Sequence, residues 1–301
     1  MSAGTLNFEL TFHDAVTVKR IFETLVLLAK DVPMMITDNG LVIETIDNGR
    51  IALISLNLPA TFFRNFRCER STVLGIRTAS FLRVIKFCSN DDLITLSQRT
   101  STTDQLDILV EARAYNQTMS FSLRLYRLDD SQLDIQRPDF ESMAIISSGR
   151  FTTLVRDLMS IGKTCRIMTN LADSSISFEV MGDDTKGTIT LSSTGLSSLK
   201  NEDDEQHDLN DLNSDGIGEV EIKIKQPVDK KYPLNYISHF TKAASLSETV
   251  MLELSDTSPM RVCYRLKGGN NGYLAFLLAY KMDDDDLDEE QEQDYGGDDD
   301  I

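Results

Sequence analysis

The chain has 301 residues, 41% hydrophobic and 26% charged, a balance that suits a globular protein of up to two domains and argues against a wholly disordered one. No apolar run approaches the roughly 18 residues that span a bilayer, and no signal-peptide pattern opens the chain, so no membrane is expected among its partners. The net charge of −18 is unevenly spread: residues 201–215 hold 7 acids and 283–301 hold 12, neither with a Lys or Arg, and the other 29 acids stand against 30 bases.

Clean alternation in 5–12 (Leu6, Phe8, Leu10, Phe12) predicts a half-buried antiparallel strand. Val18, Ile21, Phe22 and Leu25 then form one apolar helix face. A strand over 67–77 leads to a second helix through Phe81, Leu82 and Ile85, and a strand over 140–147 leads to a third through Phe151, Leu154, Val155 and Leu158. Ile176, Phe178 and Val180 alternate, as do Val220, Ile222 and Ile224, and a weaker fourth helix carries Leu234 and Ile237. The pattern is strand, helix, then strands, four times over, with helices starting near 15, 79, 149 and 234. Two units per domain give domains at 1–125 and 140–282, a size that one core supports. Between them 126–139 is a polar connector holding Leu128, Leu133, Ile135 and Pro138. The acidic insert 201–215 lies in the second domain, and 283–301 is an acidic tail; both are expected to be solvated and disordered.

Cations recur on the polar sides of the four helices: Lys19 and Arg20, Arg83 and Lys86, Arg156, and Lys242. A single surface lysine is ordinarily just solvated, but the recurrence in so acidic a chain points to nucleic acid. Nothing points to catalysis. His13, His207 and His239 have no metal-ligand spacing and no adjacent nucleophile motif, and no phosphate-binding glycine loop occurs. The Asp-Asp runs near 92, 183 and 203 read as solvent-facing loop acids. Cys68, Cys88, Cys165 and Cys263 lie far apart with no CxxC pair, which suggests reduced, buried thiols in an intracellular protein. No enzyme, cofactor or metal is expected.

Several motifs, in order along the chain, resemble the eukaryotic sliding DNA clamp family. They are GLVIETIDNGRIALISL (40–56), FRCER (66–70), SNDDLITL (89–96), LDDSQLDI (128–135), SGRF (148–151) with RDL (156–158), HFTKA (239–243) and LLAYK (277–281) before an acidic tail. The resemblance spans about 5–282 without the insert. It implies the α+β sliding-clamp fold, two similar domains each of two β-α-β-β-β units, with three subunits closing head to tail into a ring. It also implies a nuclear homotrimer that encircles duplex DNA without reading sequence. Replicative DNA polymerase, clamp loader, flap endonuclease, DNA ligase and other replication and repair proteins would bind it through a clamp-interacting peptide.

Residue by residue, the same resemblance places Lys19, Arg20, Arg83, Lys86, Arg156 and Lys242 on the DNA-facing lumen. Val26, Thr153 and Asn235 replace family cations there, so the lumen is less positive. A peptide with a glutamine, an aliphatic residue and two aromatics would dock on Ile46, Ile51, Leu53, Leu133, Ile135, Pro259, Leu277 and Ala279. Asn48-Gly49, Asp134 and Tyr280 depart from the common pattern. Phe121, Leu123, Gly187, Ile189 and Leu191 would form the subunit contact, with the strand around Ser120–Leu125 pairing with Gly187–Leu191 of the next subunit. No lysine near Leu171–Ser174 matches the family's ubiquitin-attachment site. The rival readings are a subunit of a heterotrimeric checkpoint clamp and, in another class, an acidic histone-binding or DNA-mimic protein.

Overall fold

The computed structural model describes residues 5–127, 139–193, 220–267 and 271–281. The acidic insert, the acidic tail, Leu133 and Ile135 lie outside them. The first half runs β1 (Leu6–Thr11), α1 (Ala15–Leu28), β2 (Asp31–Thr37), β3 (Gly40–Ile46), β4 (Ala52–Pro59), β5 (Asn65–Cys68), β6 (Thr72–Arg77), α2 (Thr78–Ile85), β7 (Leu93–Arg99), β8 (Gln105–Ala112) and β9 (Gln117–Arg124). The second half runs β10 (Ser142–Ser147), α3 (Ser148–Met159), β11 (Thr164–Asn170), β12 (Ser175–Met181), β13 (Lys186–Ser192), β14 (Glu221–Ile224), β15 (Asp229–Pro233), α4 (Leu234–Phe240), β16 (Thr249–Leu254), β17 (Met260–Arg265) and β18 (Tyr273–Leu278).

The helices start where the periodicity places them, and for α1 the local cause is visible. Asp14 caps α1 by accepting from the Thr17 N–H at 2.8 Å, which satisfies one of the free donors of its first turn. Val18, Ile21, Phe22 and Leu25 are buried, and Phe22 meets Phe81 of α2 at 4.1 Å between ring centroids. Each such fully buried side chain contributes about 1.5–3 kcal/mol. The helix α1 lies beside α2, α3 beside α4, and α1 also touches α4, so all four form one layer.

Among the described residues, three antiparallel sheets back that layer. Their strand orders are β5-β1-β7-β8-β9, β13-β12-β11-β15, and a nine-stranded β14-β10-β16-β17-β18-β4-β3-β2-β6 that joins the two halves through β18 and β4. Two expected strands differ. The segment 67–77 is two strands, because β5 pairs with β1 while β6 pairs with β2 in another sheet, and Glu69–Ser71 carries the chain across. The alternation of Val220, Ile222 and Ile224 leads only to the four-residue β14, and a separate strand, β15, is the one that enters α4. A local run of strand-forming residues cannot reveal that its two ends pair with different neighbours. At the start of the connector, the Tyr126 N–H donates to Gly75 O at 3.1 Å, and a Cβ at Gly75 would lie 2.3 Å from Tyr126 O. Only glycine allows that approach.

All four cysteines are free thiols; Cys88, Cys165 and Cys263 are buried and Cys68 is half-buried. Burial pushes the thiols of Cys88 and Cys263 up to about 11 and that of Cys165 to about 12. Iodoacetamide at pH 8 is therefore expected to label the native chain at Cys68 first. Peptide mass mapping checks this, and equal labelling of Cys165 would contradict the burial.

Candidate functional site

Three features of the surface matter. The first is the cationic side of the helix layer. Arg20, Arg83, Lys86, Arg156 and Lys242 are exposed there and Lys19 is half-buried. Two positions shift from expectation: Lys86 is the C-cap of α2, and Lys242 sits in a 3₁₀ turn, Thr241–Leu246, that continues α4. Their availability also differs. Arg20 pairs with Glu23 at 3.1 Å and Arg156 with Asp157 at 3.2 Å. The Lys19 ammonium donates to the Cys88 carbonyl and lies 3.5 Å from Asn90 Oδ1. Among the described residues, Arg83, Lys86 and Lys242 have no such partner.

The second feature is an apolar patch on the outer face of the nine-stranded sheet. The registers set Ile46 opposite Leu53 and Leu53 opposite Leu277, so these three form a row across β3, β4 and β18. One step along, the Ala279 N–H donates to Ile51 O at 3.1 Å, and Pro259 precedes Met260, the partner of Leu278. Ile51, Ala279 and Pro259 thus make a second row on the same face. The fold brings together all six of the described pocket candidates; Ile46 is 40% exposed and Ile51 41%.

Asp47, which no motif argument selected, shapes that patch. Its carboxylate accepts from the N–H groups of Gly49 at 2.7 Å, Ile51 at 2.7 Å and Ala52 at 2.6 Å, and from the Tyr236 hydroxyl of α4 at 2.9 Å. Burial would push this carboxyl up, but those four donors outweigh it and hold it below the usual range. A carboxyl lowered on folding stabilises above its unfolded value, about 4, and loses that contribution as pH falls through the folded value. Asp47→Ala should cost about 2–4 kcal/mol at pH 7, because its donors lose their acceptor. The gap in urea midpoint between the native chain and Asp47→Asn should narrow below about pH 4. A gap independent of pH would remove Asp47 from the acid-sensitive groups. The sequence signal was the Asp-x-Gly turn at 47–49. A second acid, Asp92, was expected to face solvent but is buried, accepting from the Ser89 N–H at 2.7 Å to close the turn after α2.

The third feature is the two longest edge strands, each with one side unpaired among the described residues. Strand β9 (8 residues) and strand β13 (7 residues) end their sheets. Phe121 and Leu123 of β9 are half-buried, as are Gly187 and Ile189 of β13, and Leu191 is buried. Phe87, just beyond α2, is 66% exposed and stacks on Phe121 at 5.8 Å. Its signal in the sequence was a phenylalanine lying off the apolar face of α2. Unpaired edges of this length invite a partner strand.

A cationic helix layer on one side, a sheet layer on the other and long edge strands at β9 and β13 define the α+β clamp fold. Family models for the N-terminal and C-terminal domains of proliferating cell nuclear antigen match residues 7–134 and 134–281. The chain belongs to the proliferating cell nuclear antigen family and is a sliding clamp of DNA replication, not an enzyme. It is 28% identical over 278 residues to the proliferating cell nuclear antigen of Chaetomium thermophilum, covering 92% of this chain and 99% of that one. It is also 28% identical over 279 residues to that of Caenorhabditis elegans, covering 93% and 98%.

Proposed function

We propose that three copies close head to tail into a nuclear homotrimeric ring around duplex DNA. Replicative DNA polymerase, flap endonuclease, DNA ligase and the clamp loader would dock through peptides on the outer apolar patch. One observation carries the assembly. The continuous sheet holds five strands of the second half and four of the first, joined at β18 and β4. The two remaining sheets hold five and four strands, ending at β9 and β13, which occupy the same places in their units. Joining β9 to the next copy's β13 repeats the internal junction and leaves neither edge open.

The repeat also supplies a register. The row Leu10, Leu96, Ile108, Phe121 in one sheet matches Ala144, Leu252, Val262, Phe276 in the other. Inside the chain that second row continues from Phe276 to Ile54 and Thr45. The matching row beyond β9 is Gly187, Val180, Cys165, Tyr232. Phe121 therefore faces Gly187 of the next copy, and Ser120 faces Thr188. A chain carrying both Ser120→Cys and Thr188→Cys should oxidise to a covalent trimer, while mixed single variants give only dimers. Cross-linking equally efficient with Thr188 replaced by Ser192→Cys would refute this register.

The ring would act topologically, holding a docked enzyme at high effective concentration on DNA. Leu133→Ala with Ile135→Ala should weaken a glutamine-aliphatic-aromatic peptide by at least about 1 kcal/mol, and Leu277→Ala should do the same. Unchanged affinity by calorimetry would move the docking site elsewhere.

A further inference from the structure

The row that carries the apolar patch does not stop at Leu277. Its next member, directly opposite on β17, is Arg261, followed on β16 by Glu253. Neighbouring strands are about 4.8 Å apart, so Arg261 forms the wall of the patch on that side. Its Nη1 donates to Glu253 Oε2 at 2.5 Å, with side chains 22% and 16% exposed. The guanidinium lies over the Tyr273 ring at 5.3 Å. A guanidinium has five N–H donors, and among the described residues Glu253 is its one hydrogen-bond acceptor.

Building on the pocket reading above, we infer that Arg261 makes this patch select a docked peptide bearing tyrosine over one bearing phenylalanine. A phenyl ring pressed against this wall removes water from guanidinium N–H groups and returns no acceptor, which costs free energy. A phenolic oxygen reaches the same wall and accepts. A carboxylate is a poorer match, because Glu253 already neutralises the arginine and would repel a second anion. Sites that bond a hydroxyl discriminate against the analogue without it, whereas apolar pockets discriminate little. The pair is suited to recognition more than to stability, since replacing a largely buried ion pair with apolar residues of similar volume is often neutral or stabilising.

The test uses the full chain and four synthetic peptides with the same glutamine and aliphatic residue. Their aromatic pairs are Phe-Phe, Tyr-Phe, Phe-Tyr, and Phe followed by Glu. Calorimetry on the native protein should show one tyrosine peptide binding about fivefold tighter than Phe-Phe, the worth of one net hydrogen bond. The glutamate peptide should be weakest. In Arg261→Met with Glu253→Leu that preference should fall below twofold. Arg261→Lys, which keeps the charge pair but loses the planar fork, should lie between, with thermal melting confirming that both variants are folded. Equal binding of Phe-Phe and both tyrosine peptides to the native protein, or a tyrosine preference that survives the double substitution, would overturn the role of Arg261 alone. If no peptide binds the native protein, the pocket reading itself falls.

Discussion

Phe121→Ala is expected to leave a folded protein that no longer assembles. In the single chain this ring is half-buried against Phe87, whereas its counterpart at the internal junction, Phe276, is fully buried. Closing the ring would bury Phe121 to the same degree. Truncating a fully buried phenylalanine costs about 3–5 kcal/mol, and a ring of three copies contains this contact three times. The fold should survive, because β9 is an edge strand and its inner neighbours Leu106, Ile108 and Val110 remain packed. Light scattering should give the mass of one chain, with circular dichroism unchanged. Phe87→Ala should weaken assembly in the same direction. A Phe121→Ala trimer that persists on dilution to nanomolar concentration would take this residue out of the subunit contact.

The second large effect concerns DNA. In the proposed trimer, six candidate cations per chain would put 18 around the hole of a ring whose formal charge is −54, three times −18. If all met phosphates together, log affinity would fall against log salt with a slope of about −16. Lys19, Arg20 and Arg156 are already engaged within the chain, so the slope for linear duplex should be far shallower and the affinity weak. A sliding ring needs that weakness, because tight phosphate contacts would stop movement. Rings loaded on closed circles should nevertheless stay bound in high salt, since escape requires opening a subunit contact. Cutting the circle should release them. Arg83→Glu, Lys86→Glu and Lys242→Glu together remove the lumen candidates that have no partner among the described residues, and should impair loading and processivity while peptide affinity stays unchanged. Intact trimers leaving closed circles as fast as linear DNA would contradict topological retention.

Much of this architecture was legible along the chain. The four helices begin at Ala15, Thr78, Ser148 and Leu234, within one residue of where apolar spacing placed them. That spacing reports which side of an element meets the core, and helix and strand have different periods. The run 67–77 shows the limit. It reads as one strand, yet its halves join different sheets, because a local pattern encodes facing and not the identity of the neighbouring strand. The helix-face cations were equally legible, but not that Arg20 and Arg156 are ion-paired or that Lys19 is tied to the turn after α2.

By itself, then, the sequence determined the four-unit repeat, the apolar faces, the recurring cations and, through its ordered motifs, the family. Only the tertiary structure decided that Ile46, Leu53 and Leu277, from opposite ends of the chain, share one row, and that Arg261 walls it. It also decided that β9 and β13 lie at sheet edges and that Asp47 reaches across to Tyr236. The physical reason is common to all four. A pocket wall, an open edge or a buried acceptor is defined by what lies across space from a residue, and backbone pairing between distant segments sets that, not the local pattern of side chains.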